Sequence, residues 1–261
     1  MPKFSANLSM LFTELPFLER FAAAREAGFS AVEYLFPYDY DAATLKSLLD
    51  ENGLEQVLCN LPAGDWAAGD RGIACDPARV GEFKAGVAKA IAYAKKLNIP
   101  RLNCLAGKRP ENVREKDAWD TLKSNLGYAA GELARANRVL LVEFINLYDI
   151  PGFFLHGTRQ TLRLLDTIGA PNIAMQYDVY HAQRSEGELV ATLRTNISRI
   201  GHIQIADNPG RHQPGTGEIN FPFVFSEIDR LGYQGHIGLE YVPTPDTRAS
   251  LAWMGQFGLK P

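Results

Sequence analysis

Short apolar, β-rich runs alternate with helical patterns along the whole chain, and this regular alternation constrains the fold more than any single motif. The strand-like runs fall at 4–7, 31–35, 56–60, 101–105, 139–144, 173–177, 201–205 and 236–241. Helical patterns follow at 17–27, 42–52, 80–97, 116–137, 158–168, 187–197, 221–231 and 247–255, several of them ending at Gly or Asn. Strict alternation implies parallel pairing through right-handed crossovers. Eight such units predict a (β/α)8 TIM barrel of the α/β class, with a doubly wound open sheet as the alternative. Val139, Leu140, Leu141 and Val142 form a continuously apolar run, as expected of a strand covered on both faces. A length of 261 residues suits one such barrel, and no linker or low-complexity segment interrupts it, so residues 1–261 are expected to form a single domain.

Composition then limits the partners. A formal net charge of −3 leaves no basic footprint for nucleic acid or anionic membrane, so neither is expected. The first residues contain no apolar run long enough for a signal peptide or a membrane span, which predicts a cytoplasmic protein. Cys59, Cys75 and Cys104 are odd in number and lack metal-site spacing; buried small hydrophobes are the expectation, with Cys59 or Cys104 as a lesser candidate for lining a pocket.

A barrel collects its chemistry where the strands stop at their carboxyl ends. There the fifth strand ends in Glu143, the sixth runs into Asp178 and His181, the seventh carries Gln204 and the eighth ends in Glu240. Each of these four ligand candidates could simply pair with a surface Lys or Arg. Taken together, three carboxylates and an amide oxygen from consecutive strands make an all-oxygen set suited to a hard divalent cation, Mg²⁺ or Mn²⁺. Glu143 and Glu240 come from strands that are not adjacent, so they can flank a small substrate as general acid and base. Such a cation would chelate the carbonyl and hydroxyl of an α-hydroxycarbonyl compound and favour an enediolate.

The seventh strand opens into a loop dense in turn formers, 206–218, which carries Arg211. Its planar fork suits a substrate carboxylate, and Lys108, just after the fourth strand, is the second candidate for that task. His181 is a candidate substrate contact, and His202 points to the same side of its strand as Gln204, either packing or supporting it from behind. The long connection at 61–79 holds Asp65 and Arg71, which are expected to pair or face water unless the loop closes as a lid.

The segments FSANLSMLF, VEYLFPYDY, NLPAGDWAAGDRGIAC, VEFIN, YDVYHAQRSEGEL and GHIQIADNPGRHQPGTGEIN together resemble the hydroxypyruvate isomerases across nearly the whole chain. They are also similar to the sister 2-oxo-tetronate isomerases and, at greater distance, to xylose isomerase-like barrels including ketose 3-epimerases. The resemblance implies a (β/α)8 fold and metal-assisted aldose–ketose isomerisation, here of hydroxypyruvate and 2-hydroxy-3-oxopropanoate (tartronate semialdehyde). It implies metal ligation by Glu143, Asp178, Gln204 and Glu240, acid/base roles for Glu143 and Glu240, and substrate contacts at His181 and Arg211. Position 204 is His in many of the epimerases and Gln in this chain, which argues against a plain sugar epimerase. Two positions depart from the family pattern: Phe144 stands where Pro is usual, and Cys59 where His or an aromatic is frequent. The expected partner is a small 2-oxo-hydroxy acid, with a homo-oligomer possible. A neutral-sugar isomerase or epimerase, a metal-dependent endonuclease and a non-catalytic sugar-acid binder are the competing readings; five histidines and the acidic balance weigh against the endonuclease.

Overall fold

The structure, a computed structural model, describes residues 2–261. Eight parallel strands close into a barrel in sequence order: β1 (Lys3–Asn7), β2 (Ala31–Glu33), β3 (Glu55–Asn60), β4 (Arg101–Leu105), β5 (Val139–Glu143), β6 (Ile173–Asp178), β7 (Ile200–Ile205) and β8 (His236–Leu239). The pairing of β1 with β8, from Lys3↔His236 to Ala6↔Leu239, closes the ring and excludes the open sheet. Helices lie outside, and their apolar faces form one large core with the outward side chains of the strands. Among the described residues no helix is long and apolar enough to cross a membrane.

Inside the barrel the lower end is plugged by a small apolar group, Ala31, Val57, Leu58 and Leu141. Above that plug the interior turns polar. Asn7, Glu33, Asn60, Asn103, Glu143, Gln176, Gln204 and Glu240 are all buried and hydrogen-bond to one another in overlapping pairs. A barrel core this polar needs its donors and acceptors matched, because each unpaired buried polar group costs about 1–3 kcal/mol. Gly238 makes the layer sterically possible. A Cβ there would stand 2.3 Å from Glu33 Oε1, so a side chain on β8 would evict the carboxylate.

Differences from the sequence expectation concern ends and short helices. β8 stops at Leu239, so Glu240 sits just beyond the strand, tied back by its N–H to Ile205 O at 3.2 Å. The segment after β6 forms a helix of its own, Val179–Ser185, because the Asp178 carboxylate accepts the Tyr180 N–H at 2.8 Å and caps it. The last helical pattern divides into Thr247–Ser250 and Ala252–Gln256. The 61–79 connection is fastened to the end of β4: Gly72 has φ +108, and a Cβ on it would meet Leu105 O at 2.3 Å.

Candidate active site

Parallel strands deliver their last inward residues to one mouth, and four of the expected site residues arrive there buried: Glu143 (5 % exposed), Asp178 (1 %), Gln204 (0 %) and Glu240 (6 %). Asp178 and Gln204 are register partners across β6 and β7. Glu143 Oε2 accepts from Asn103 Nδ2 at 2.9 Å and from Gln176 Nε2 at 3.1 Å. Glu240 Oε2 accepts from Arg211 Nη2 at 2.6 Å, and its Oε1 from Asn7 Nδ2 at 3.4 Å. One ligand atom each from Glu143, Asp178 and His181 lie within 4.8 Å of one another.

Three buried carboxylates so close resist ionisation. Burial raises the Glu143 carboxyl well above the usual range, and the charges of Glu240 and Asp178 raise it further. Burial pushes Glu240 up to about 8 against the opposing pull of Arg211. Asp178 is raised by burial too, with Arg211 and the N–H groups of its helix acting the other way. Arg211 is the cation set among them. Its Nη2 also stands 3.5 Å from Asp178 Oδ2, and its guanidinium lies 5.1 Å over the Tyr180 ring.

Arg211 is held there by an ordered loop. Buried Asp207 accepts the backbone N–H groups of Asn208, Gly215 and Gly217, each at 2.9 Å, and of Ile219 at 3.1 Å. This wraps the loop around one carboxylate. Arg211 itself takes φ +56, a left-handed conformation costing about 1–2 kcal/mol for a side-chain-bearing residue. The Val242 N–H donates to Arg211 O at 2.7 Å and helps hold that conformation.

The tautomer of His181 follows from its neighbour. Asn146 Oδ1 accepts the N–H groups of Tyr148 (3.0 Å) and Asp149 (2.9 Å), so its amide nitrogen faces His181 Nδ1 at 2.7 Å. An amide nitrogen only donates, so Nδ1 accepts and the proton of the neutral ring sits on Nε2. Burial, and after it the charges of Arg211 and Arg184, lower the imidazole's affinity for a second proton. Nε2–H then points toward Asp178 Oδ2, 3.6 Å away. His181 is thus a hydrogen-bond donor to the mouth rather than a metal ligand.

Other expected residues lie elsewhere. Lys108 is exposed on the rim, its backbone bridged to Phe153, outside the buried cluster. His202 is fully buried and bonds Glu33 at 2.8 Å, two residues before Gln204. Arg71 stacks on Trp66 at 4.1 Å and Asp65 accepts the Ala68 N–H, so both serve the 61–79 loop itself. The three cysteines are free and buried, and burial pushes Cys59 and Cys75 up to about 12, which leaves them inert as nucleophiles. Phe144 packs its ring 6.1 Å from Tyr177, and Phe144 and Cys59 both belong to the core between barrel and helices. Neither departure from the family pattern therefore lines the mouth.

The donor set can be tested for a cation. Asp178 Oδ2, Gln176 Oε1 and Asn103 Oδ1 are buried acceptors with no hydrogen-bond partner. Asp178 Oδ2 needs a partner, and ligand oxygens of Asp178 and Glu143 lie within 4.8 Å of one another, so this part of the cluster could hold a hard, oxygen-seeking divalent ion. In the arrangement described, Gln204 Oε1 accepts instead from Gln176 Nε2 at 2.6 Å.

Residues 21–257 match the family model of the xylose isomerase-like TIM barrel, and the chain is a member of that class. It is 53 % identical over 257 residues to the hydroxypyruvate isomerase of Escherichia coli (strain K12), covering 98 % of this chain and 100 % of that one. It is 44 % identical to the 2-oxo-tetronate isomerase of Cupriavidus necator, over 97 % of this chain and 98 % of the relative. A solved structure from Brucella melitensis, described as an AP endonuclease of family 2, superimposes with a TM-score of 0.95 at 42 % identity, over 98 % and 99 % of the two chains. The chain belongs to the family of the hydroxypyruvate and 2-oxo-tetronate isomerases, and it is an isomerase.

Proposed function

We propose that the protein interconverts hydroxypyruvate and 2-hydroxy-3-oxopropanoate by moving a proton between adjacent carbons through an enediolate. The observation that carries this reading is the pairing of Arg211 with the buried carboxylates of Asp178 and Glu240, beside buried Glu143, with Asp178 Oδ2 lacking a hydrogen-bond partner. A divalent ion, Mg²⁺ or Mn²⁺, held by Glu143, Asp178, Gln204 and Glu240 supplies Lewis-acid polarisation of the substrate's carbonyl and hydroxyl oxygens.

The chain's own residues supply the rest. Arg211 binds the substrate carboxylate, sharing its guanidinium with Glu240. Nε2–H of His181 donates to a substrate oxygen. Glu143 and Glu240 flank the reacting carbons. Burial raises the proton affinity of both carboxyls, the direction that general acid–base work at neutral pH requires. A carbon-bound proton leaves C3 for a carboxylate and is returned to C2, while the hydroxyl proton passes from O3 to O2. Atoms and electrons balance within one substrate molecule, and no redox partner is needed.

The relatives named 2-oxo-tetronate isomerase favour a second reading, in which the substrate has four carbons and the same chemistry applies. Initial rates on hydroxypyruvate, a 2-oxotetronate and a neutral ketose, after chelation and with Mg²⁺ or Mn²⁺ restored, separate these readings. Turnover of the three-carbon acid that depends on metal supports the first. Preference for the four-carbon acid supports the second, and preference for the neutral ketose overturns both.

A further inference from the structure

Glu33 is a buried carboxylate that the chemistry above leaves without a task. It ends β2, is 1 % exposed, accepts three hydrogen bonds and faces a fourth partner, the His202 ring. Ser5 Oγ and His202 Nε2 each lie 2.8 Å from Oε2, while Asn7 Nδ2 (3.2 Å) and Gln204 Nε2 (2.7 Å) approach Oε1. Ser5, Asn7 and Gln204 all present donors, which is the environment of an ionised carboxylate. A carboxylate buried in a barrel is costly, and Gly238 is bare of a side chain where this one needs room.

The partner that matters is Gln204. A glutamine amide can present oxygen or nitrogen to a site with almost no change of shape, and only oxygen can bind a hard cation. Because Glu33 accepts and cannot donate, it takes the Gln204 nitrogen and turns the oxygen the other way. That oxygen shares the Gln176 amide with Glu143 Oε2, so it faces the carboxylate cluster.

We propose that Glu33 is a positioning residue that fixes the Gln204 amide with its oxygen toward the cluster, and so sets the site's affinity for a divalent ion. The inference rests on the metal reading given under Proposed function. A similar bond through Asn7 ties Glu33 to Glu240, so one carboxylate supports both sides of the mouth.

The test exchanges the polarity of the Glu33–Gln204 pair. In Glu33→Gln the two facing amides can adopt either sense, and Mn²⁺ affinity, measured by titration of the chelated protein, is expected to fall about ten- to a hundredfold, the usual loss for a residue that orients a ligand. In Glu33→Gln/Gln204→Glu an amide donor again meets a carboxylate and an oxygen again faces the cluster, so affinity returns to the wild-type level or better. A readout without metal accompanies it. In the chelated, ¹⁵N-labelled wild type, the Gln204 side-chain amide, assigned by its disappearance in Gln204→Glu, should be protected from solvent exchange and should lose that protection in Glu33→Gln. Wild-type affinity in Glu33→Gln, a double variant no better than the single one, or an unprotected wild-type amide each overturns the proposal. If Glu33→Gln does not fold, the double variant and the wild-type amide decide. A wild type that takes up no Mn²⁺ overturns the metal reading and this inference with it, whereas a binding wild type with an unaffected Glu33→Gln overturns this inference alone.

Discussion

Replacing Arg211 by alanine separates substrate recognition from the rest of the site. The guanidinium makes a 2.6 Å bond to Glu240 and stands 3.5 Å from Asp178, with its side chain 24 % exposed, so one edge remains for a ligand. A charge-assisted contact of this kind contributes about 1.5–3 kcal/mol. Losing it from the substrate carboxylate should raise KM for hydroxypyruvate or a 2-oxotetronate about ten- to a hundredfold. An uncharged α-hydroxyketone has no carboxylate to lose, and its KM should barely change. Arg211→Lys should recover part of the loss, because it restores the charge without the planar fork. The assay is steady-state kinetics on both substrate types with saturating Mg²⁺ or Mn²⁺. Equal losses on the charged and the neutral substrate would show that Arg211 merely shapes its loop, and would refute the assignment.

Other expectations follow from the same geometry. Asn146→Ala frees His181 to change tautomer, so kcat should fall about tenfold or more, with the melting temperature little changed; an unaltered kcat would remove the histidine from substrate contact. Glu240, pushed up to about 8 from the usual 4.5, binds more protons folded than unfolded, so its contribution to stability is full below the unfolded value and is lost as pH rises through about 8. The chelated protein should therefore melt at a lower temperature at pH 9 than at pH 6, and added Mg²⁺ or Mn²⁺ should flatten the difference; a chelated protein that gains stability over that range would contradict the crowding of carboxylates. Lys108→Ala should leave KM within about twofold of wild type, since an exposed charge contributes little; a large rise would make Lys108 the carboxylate's partner after all.

The barrel was legible in the sequence because strand and helix periods alternate without a break, and the apolar run at Val139–Val142 marked a strand covered on both faces. Glu143, Asp178, Gln204 and Glu240 were legible as polar residues at the ends of such runs. The polar floor beneath them was less so. Asn7, Glu33, Asn60 and Asn103 also close or interrupt apolar runs, but a single Asn or Glu there reads equally well as a loop residue until the barrel closes. Gln176 lies two residues before Asp178 and therefore on the same inward side, a spacing visible in the sequence that gains meaning only beside Glu143 and Gln204. Asn146 could not be linked to His181 from spacing, because the two are 35 positions apart and meet between the loop after β5 and the helix Val179–Ser185. Lys108, the second candidate for the substrate carboxylate, stands exposed outside the buried cluster, its backbone bridged to Phe153, a placement its spacing after β4 does not reveal.

The most direct test of the proton-transfer reading uses Glu143→Gln and Glu240→Gln, which keep side-chain shape and remove the titrating group. Initial rates on hydroxypyruvate and metal content should be measured on the same samples, because both residues are also proposed ligands. With the metal site full, we expect each variant to lose at least about a hundredfold in kcat, the scale of a general acid or base; metal-replete variants turning over at close to the wild-type rate would contradict the assignment of these two carboxylates to the reaction.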